Sequence, residues 1–184
     1  MHLLKKSKDI RSYLNTLRKA SNNVTIGFVP TMGALHAGHA SLIEKSVAQN
    51  DITVCTIFVN PTQFGEATDF EKYPKPIEKD IELLLQYGCD LLFLPSSEEV
   101  YPQDYTQQTF DLLGIDLKIE GASRPGHFQG VCNVLFQFFN IIEPTRAYFG
   151  QKDFQQTVVV KRLESLMDLA IEIDIVPIVR ESHG

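Results

Sequence analysis

Cysteine is scarce in this sequence: Cys55, Cys89 and Cys132 are the whole supply, an odd count with no CxxC pair. That usage excludes a disulfide framework and a cysteine-built zinc site, and it fits a reducing cytoplasm. Long apolar runs are missing as well. A stretch such as Leu91-Leu92-Phe93-Leu94-Pro95 falls far short of the roughly 20 residues that span a bilayer, so no membrane partner is expected. The opening Met1-His2-Leu3-Leu4-Lys5-Lys6 has neither the apolar stretch nor the cleavage site of a secretory signal. Positive charge is in deficit, with 17 Lys+Arg against 23 Asp+Glu and a net charge of −6. A general nucleic-acid binder needs a basic face, so that class is disfavoured. A single bound nucleotide is not, because a few placed cations suffice for it. There is no internal repeat, no low-complexity segment and no GxGxxG fingerprint of an ordinary dinucleotide site.

What remains is an ordinary globular composition, 43% hydrophobic over 184 residues, enough for one large domain with its own core. Apolar strand-like runs alternate with helix-like periodicity. Residues 24–29 read as a buried strand stopped by Pro30, and 52–59 as a second stopped by Pro61; 90–94, 147–149 and 171–176 follow. Residues 37–49 read as a helix with Leu42, Ile43 and Val47 on one side. Pro76 opens another, carrying Ile77, Ile81, Leu84 and Leu85 and ended by Gly88. Val131, Val134, Leu135, Phe138, Phe139 and Ile142 form a long helical stripe that reads as core, with only its first turn in reach of a substrate. Residues 157–167 are helical again. This alternation predicts an α/β fold with a parallel sheet covered on both faces. Ligands in such sheets bind outside the carboxyl ends of the strands, which directs attention to the residues after Pro30, Asn60 and Gly150.

The string Pro30-Thr31-Met32-Gly33-Ala34-Leu35-His36-Ala37-Gly38-His39 takes a strand through a turn into a helix. The free N–H groups and dipole of a helix start attract anions. Gly33 and Gly38 let backbone approach a ligand closely. His36 and His39 stand three apart and share a helix face, where two imidazoles can donate to phosphate oxygens as negative charge grows on them. Blander readings stand beside this one. The histidines pack or cap the helix start, or they are half of a zinc site for which no third ligand stands at a suitable spacing.

Three further segments follow the same logic. In Asn60-Pro61-Thr62-Gln63 the amides donate and accept, which suits a hydroxy acid, although Asn-Pro is also a common turn. Glu120-Gly121-Ala122-Ser123-Arg124-Pro125-Gly126-His127 reads as an ordered loop facing a ligand. Arg124 there grips a carboxylate or phosphate, or is a solvated arginine beside a helix cap. In Gly150-Gln151-Lys152-Asp153-Phe154-Gln155-Gln156, Gly150 permits close approach and Lys152 offers a point charge to phosphate. Asp153 accepts from a ribose hydroxyl or caps a helix. Acidic residues at 78 and 80 complement the dipole of the helix they open.

His36-Ala37-Gly38-His39 resembles the HxGH signature of the nucleotidyltransferase superfamily that includes class I aminoacyl-tRNA synthetases. The ten-residue string is similar to that of the pantothenate synthetase family, and the resemblance extends over essentially the whole chain. One departure is local: Tyr73-Pro74-Lys75-Pro76 stands where the family usually reads Tyr-Pro-Arg-Thr. The resemblance implies a Rossmann-like domain over residues 1–176, binding nucleotide and pantoate. Residues 177–184 would begin the linker to a C-terminal domain lying beyond this chain. The implied reaction joins pantoate to β-alanine through a pantoyl adenylate, releasing pyrophosphate and AMP. ATP would meet the 32–39 string (Met32, Gly33, Ala34, Leu35, His36, Ala37, Gly38, His39), Gly150, Gln151, Lys152, Asp153 and Val179, with His36, His39 and Lys152 catalytic. Pantoate and β-alanine would meet Pro30, Thr31, Met32, Asn60, Gln63, Arg124 and Gln156. Magnesium is expected near Asp80, and a homodimer is expected. Two rivals stay open: another HxGH enzyme, such as a phosphopantetheine or nicotinamide mononucleotide adenylyltransferase, and a non-catalytic nucleotide-binding module.

Overall fold

A computed structural model describes residues 1–21, 23–65, 67–168 and 170–181. In chain order the elements are β1 (His2–Leu4), α1 (Ser7–Ala20), β2 (Ile26–Thr31), α2 (Ala37–Gln49), β3 (Ile52–Ile57), α3 (Ala67–Lys72), α4 (Ile77–Gln86), β4 (Leu91–Phe93) and α5 (Ser97–Val100). Then come α6 (Glu120–Ser123), α7 (His127–Ile142), β5 (Arg146–Gly150), α8 (Phe154–Met167) and β6 (Glu172–Val176). Six strands form one sheet in the order β1-β4-β3-β2-β5-β6, and every neighbouring pair is parallel.

Strand side chains alternate between two cores, as the period of a pleated strand requires. Phe28, Val54, Leu91, Phe93, Ala147 and Phe149 face one side, against Ile10 and Leu14 of α1, Phe139 of α7 and Leu163 of α8. Val29, Cys55, Leu92 and Tyr148 face the other, against Leu42 and Ile43 of α2 and Leu84 of α4. Both faces are covered, which is why the strands read as continuous apolar runs.

The topology creates the crevice. From β2 the chain steps to β3 and β4 on one side, and α7 then carries it back to β5 on the other side of β2. The β2–β5 ladder pairs only Gly27 with Arg146 and Phe28 with Ala147. Beyond those residues the carboxyl ends of the two strands separate, at the point where strand order reverses.

Several boundaries differ from expectation. β2 starts at Ile26 and runs through Pro30 to Thr31. Pro30 is tolerated because of register. The Thr31 carbonyl accepts from Phe58 N–H on the β3 side. Alternation therefore points Pro30's nitrogen toward β5, past the last paired residue, where a missing N–H costs no ladder bond. Pro76 is the N-cap of α4 and precedes its first turn. Val47 and Leu85 face solvent at 41% and 55% exposure; Ala40, Leu42, Ile43 and Ser46 are the buried residues of α2. α7 starts four residues before Val131. β1 and α1 were not anticipated, although Ile10, Tyr13, Leu14 and Leu17 carry the i, i+3, i+4, i+7 spacing of an amphipathic helix. Among the described residues no helix is long and apolar enough to cross a membrane.

Candidate active site

The start of α2 forms one wall. His36 is the N-cap: Gly38 N–H donates to His36 Nδ1 at 3.1 Å, and His36 N–H donates to His39 Nδ1 at 3.3 Å. These bonds satisfy two of the N–H groups that a helix start leaves without partners. The capping reading of the pair is therefore correct, and it does not compete with ligand binding. An Nδ1 that accepts carries no proton, so each ring is a neutral imidazole with its proton on Nε2. Both rings border the cavity, with centroids 4.1 Å apart. Burial, reinforced by His36, lowers the His39 pKa from 6.5 to about 4, which keeps that ring neutral at pH 7. The motif thus presents two neutral N–H donors. Its glycine is also required: a Cβ at Gly38 would lie 2.9 Å from His36 Cε1 and 3.1 Å from Nδ1, displacing the ring.

The turn before the helix is anchored by α4. Ala34 has φ 52°, in the left-handed region that costs a non-glycine residue roughly 1–2 kcal/mol. Asp80 offsets this: its Oδ2 accepts from Ala34 N–H at 2.9 Å and its Oδ1 from Leu35 N–H at 2.7 Å. The residue is 1% exposed, and its charge opposes the fall in the His39 pKa.

The end of β3 supplies a second wall. Pro61–Gln63 make a single 3₁₀ turn capped by Asn60, which is 1% exposed. Asn60 Oδ1 accepts from Thr62 N–H, the Thr62 hydroxyl and the Tyr101 hydroxyl, while Nδ2 donates to Gln63 Oε1 and the Gly130 carbonyl. Its polar atoms are fully engaged by the protein. Gln63 is different. Its Oε1 is held by Asn60, and its Nε2 points at Met32 Sδ at 2.8 Å. A thioether is a weak acceptor, so a carboxylate or hydroxyl oxygen would take its place.

These walls meet around a cavity of about 380 Å³ at the crevice between β2 and β5. Pro30, Thr31, Met32, His36, Gly38 and His39 border it from β2 and α2, and Asn60 and Gln63 from the β3 turn. Gly150, Lys152, Asp153 and Gln156 border it from β5 and α8, and Pro177, Ile178 and Val179 from the segment after β6. Lys152 is the cation among these residues; its side chain is 76% exposed and lies 3.2 Å from Asp153. Such a surface pair is weak, so the ammonium is free to turn to an anion. Asp153 occupies the N-cap position of α8, and its side chain makes no capping hydrogen bond there.

Some expected residues stand elsewhere. Gly33, Ala34, Leu35, Ala37 and Gln151 belong to the same turns without bordering the cavity, and Asp80 lies behind them. Arg124 is also outside the lining. It pairs with Glu120 at 2.6 Å and meets His127 Nε2 at 3.3 Å. Other lining residues were not anticipated: Leu42, Phe58, Tyr73, Tyr148 and, on α7, Leu135 and Phe138, which extend the lining beyond the first turn of the stripe with Val131 and Val134. The i, i+3, i+4, i+7 spacing of that face was visible. The part of the stripe that borders a cavity was not, because cavity and core both demand apolar side chains.

A family model described as pantoate-beta-alanine ligase matches residues 2–184. The chain belongs to the pantoate–β-alanine ligase family. It is 48% identical over 185 residues to the pantothenate synthetase of Phocaeicola vulgatus, covering all of this chain and 64% of that protein. The pantothenate synthetase of Thermus thermophilus superposes with a TM-score of 0.92 at 41% identity, again over 100% of this chain and 64% of the other. The pantoate-β-alanine ligase of Francisella tularensis, solved with β-γ ATP and β-alanine, gives 0.93 at 39% identity, covering 99% of this chain and 69% of that one. The chain thus spans 64% of the curated relative's length. The parallel sheet confirms the α/β class expected from strand–helix alternation, and the structural likeness to these ligases confirms the Rossmann-like type that the resemblance implied.

Proposed function

We propose that this chain carries the ATP- and pantoate-binding chemistry of a pantothenate synthetase. Residues 1–176 would form the binding domain, and the segment from 177 would lead out of it; positions 182–184 lie outside the described residues. One observation carries the reading: a single cavity combines two neutral imidazole donors and Lys152 on one side with Gln63, Gln156 and an apolar α7 face on another. Pantoate is a carboxylate with two hydroxyls and a geminal dimethyl group. The amides suit its oxygens, and Val131, Val134, Leu135 and Phe138 suit its methyls. The phosphate acceptor of the rival adenylyltransferases would call for a denser cationic lining.

In this reading the pantoate carboxylate attacks the α-phosphorus of ATP and pyrophosphate leaves. The β-alanine amine then attacks the acyl carbon of the adenylate, and AMP departs with the former carboxylate oxygen. His36 and His39 donate Nε2–H to phosphate oxygens as charge develops, while Lys152 adds a point charge. The turns at Gly33–Leu35 and Gly150–Asp153 approach the nucleotide with backbone, Asp153 accepts from ribose, and Val179 meets adenine through its main chain. Asn60 acts through Gln63, and Arg124 offers a carboxylate grip at the periphery. Magnesium on the phosphates would share their charge. Asp80 does not fit as its direct ligand, because it is buried with both oxygens committed to the turn, and no cluster of three metal-ligating side chains occurs among the described residues. A homodimer is supported by the exposed Leu113, Leu117, Ile119 and Phe154, at 69%, 74%, 82% and 66%, near the segment that Gln155 ties to α8. A cytoplasmic location accords with three unpaired, buried thiols.

The test is a panel of acceptors in the exchange of labelled pyrophosphate into ATP. Pantoate should support exchange, whereas phosphopantetheine and nicotinamide mononucleotide should not. Exchange driven by either phosphate ester would transfer the chain to the rival class, and absence of ATP turnover with any acceptor would favour a binding module.

A further inference from the structure

His127 lies outside the cavity lining, yet it connects two parts of the site. It is the first residue of α7 and is 7% exposed. One ring nitrogen, Nδ1, is 2.9 Å from the backbone carbonyl of Gln63, and the other, Nε2, is 3.3 Å from Arg124 Nη1. A carbonyl can only accept and a guanidinium can only donate. The ring must therefore be neutral, with its proton on Nδ1 and a lone pair on Nε2. This is the opposite tautomer from that of His36 and His39. Around it stand the Glu120 carboxylate, 4.0 Å from Nε2, the Phe128 ring, edge-on at 5.0 Å, and the more distant charge of Asp153.

Next to this bond α7 and the 60–63 turn are in backbone contact. A Cβ on Gly130 would lie 2.3 Å from the Thr62 carbonyl oxygen, and Asn60 Nδ2 reaches the Gly130 carbonyl at 3.1 Å. The turn is thus held at two points, by Asn60 from within and by His127 at Gln63 itself. We infer that His127 is a positioning residue: as a neutral Nδ1–H donor, oriented by the Arg124–Glu120 pair, it fixes the Gln63 backbone so that the Gln63 amide faces the acid substrate. Burial also lowers its pKa, which preserves the neutral form near pH 7. Protonation would place a second proton on Nε2 against the guanidinium and free Arg124 from the ring.

The inference rests on the proposed pantoate reading, and two measurements keep the two separable. The first is the ring-nitrogen spectrum of ¹⁵N-histidine-labelled protein between pH 6 and 8. The expected result is a protonated Nδ1 and an unprotonated Nε2 for His127; the reverse tautomer overturns the inference whatever the substrate. The second is steady-state kinetics of His127→Ala and His127→Asn, with thermal midpoints to identify variants that do not fold. Asparagine keeps an N–H near the position of Nδ1. Alanine should raise KM for pantoate roughly fivefold to tenfold, the scale of one lost hydrogen bond, with KM for ATP unchanged and with asparagine recovering most of the loss. A parent-like KM in the alanine variant, or an equal rise for both substrates, contradicts it. Should the parent use a different acid, the pantoate reading fails and the same comparison is made with that acid.

Discussion

His36 and His39 perform two tasks with the two nitrogens of each ring. Nδ1 caps the helix, and Nε2–H is left for the cavity. In the proposed reading, such a preorganised donor costs nothing to orient when phosphate charge grows, and its value to catalysis would lie there. Replacing His39 with alanine should slow the first pyrophosphate release about a hundredfold or more, the usual scale for losing one transition-state donor. The pH dependence follows from the same ring. With a folded-state pKa of about 4, His39 keeps Nδ1 free down to about pH 5, so the contribution of this group to the rate should be flat from pH 8 to that point. The unfolded ring, at 6.5, binds its proton first, so stability present above pH 6.5 is lost as pH falls toward 4. His127, also depressed, acts in the same direction. Rapid-quench rates and denaturant midpoints at pH 7.5 and 5 check both statements. A rate that rises as pH falls through 6.5 would make His39 an imidazolium acid instead.

At the scale of elements, the site is made by three turns that leave β2, β3 and β5 and by one helix, α7, that closes the far side. The strands were legible because a sheet covered on both faces demands unbroken apolar runs. The turns were located because ligands bind where strands of such a sheet end, and the resemblance to the family, rather than residue type alone, marked them as functional. The assignment of roles within them was not. Asp80, expected near a metal, holds the neighbouring 34–35 turn, and Asn60, which does border the cavity, spends its polar atoms on its own turn, on Tyr101 and on Gly130, since a side-chain amide or carboxylate has the same letter whether it faces solvent, ligand or backbone. α1 was missed although its spacing was readable, and it matters to the core: Ile10 and Leu14 are fully buried between the sheet and α7. Leu14→Ala should lower stability by about 2–5 kcal/mol, the range for emptying a packed leucine site. Urea unfolding measures this, and a loss below about 0.5 kcal/mol, typical of surface positions, would show that α1 is not integral to the fold.

For the molecule as a whole, the crevice follows from strand order, and the few groups that could meet an anion are gathered at it. A chain with net charge −6 places Lys152 and two neutral imidazoles, with the start of α2, around one cavity, and it places apolar and amide side chains on the other side. In the proposed reading that division would separate a polyphosphate from a branched hydroxy acid while bringing carboxylate and α-phosphorus together, the positional requirement for adenylate formation. The central claim concerns which oxygen ends where. Pantoate labelled with ¹⁸O in its carboxylate is supplied with ATP and β-alanine, and the nucleotide product is weighed. Attack by the carboxylate on the α-phosphorus requires that AMP carry one labelled oxygen. Label in inorganic phosphate with ADP as the nucleotide product, or AMP free of label, would contradict the account.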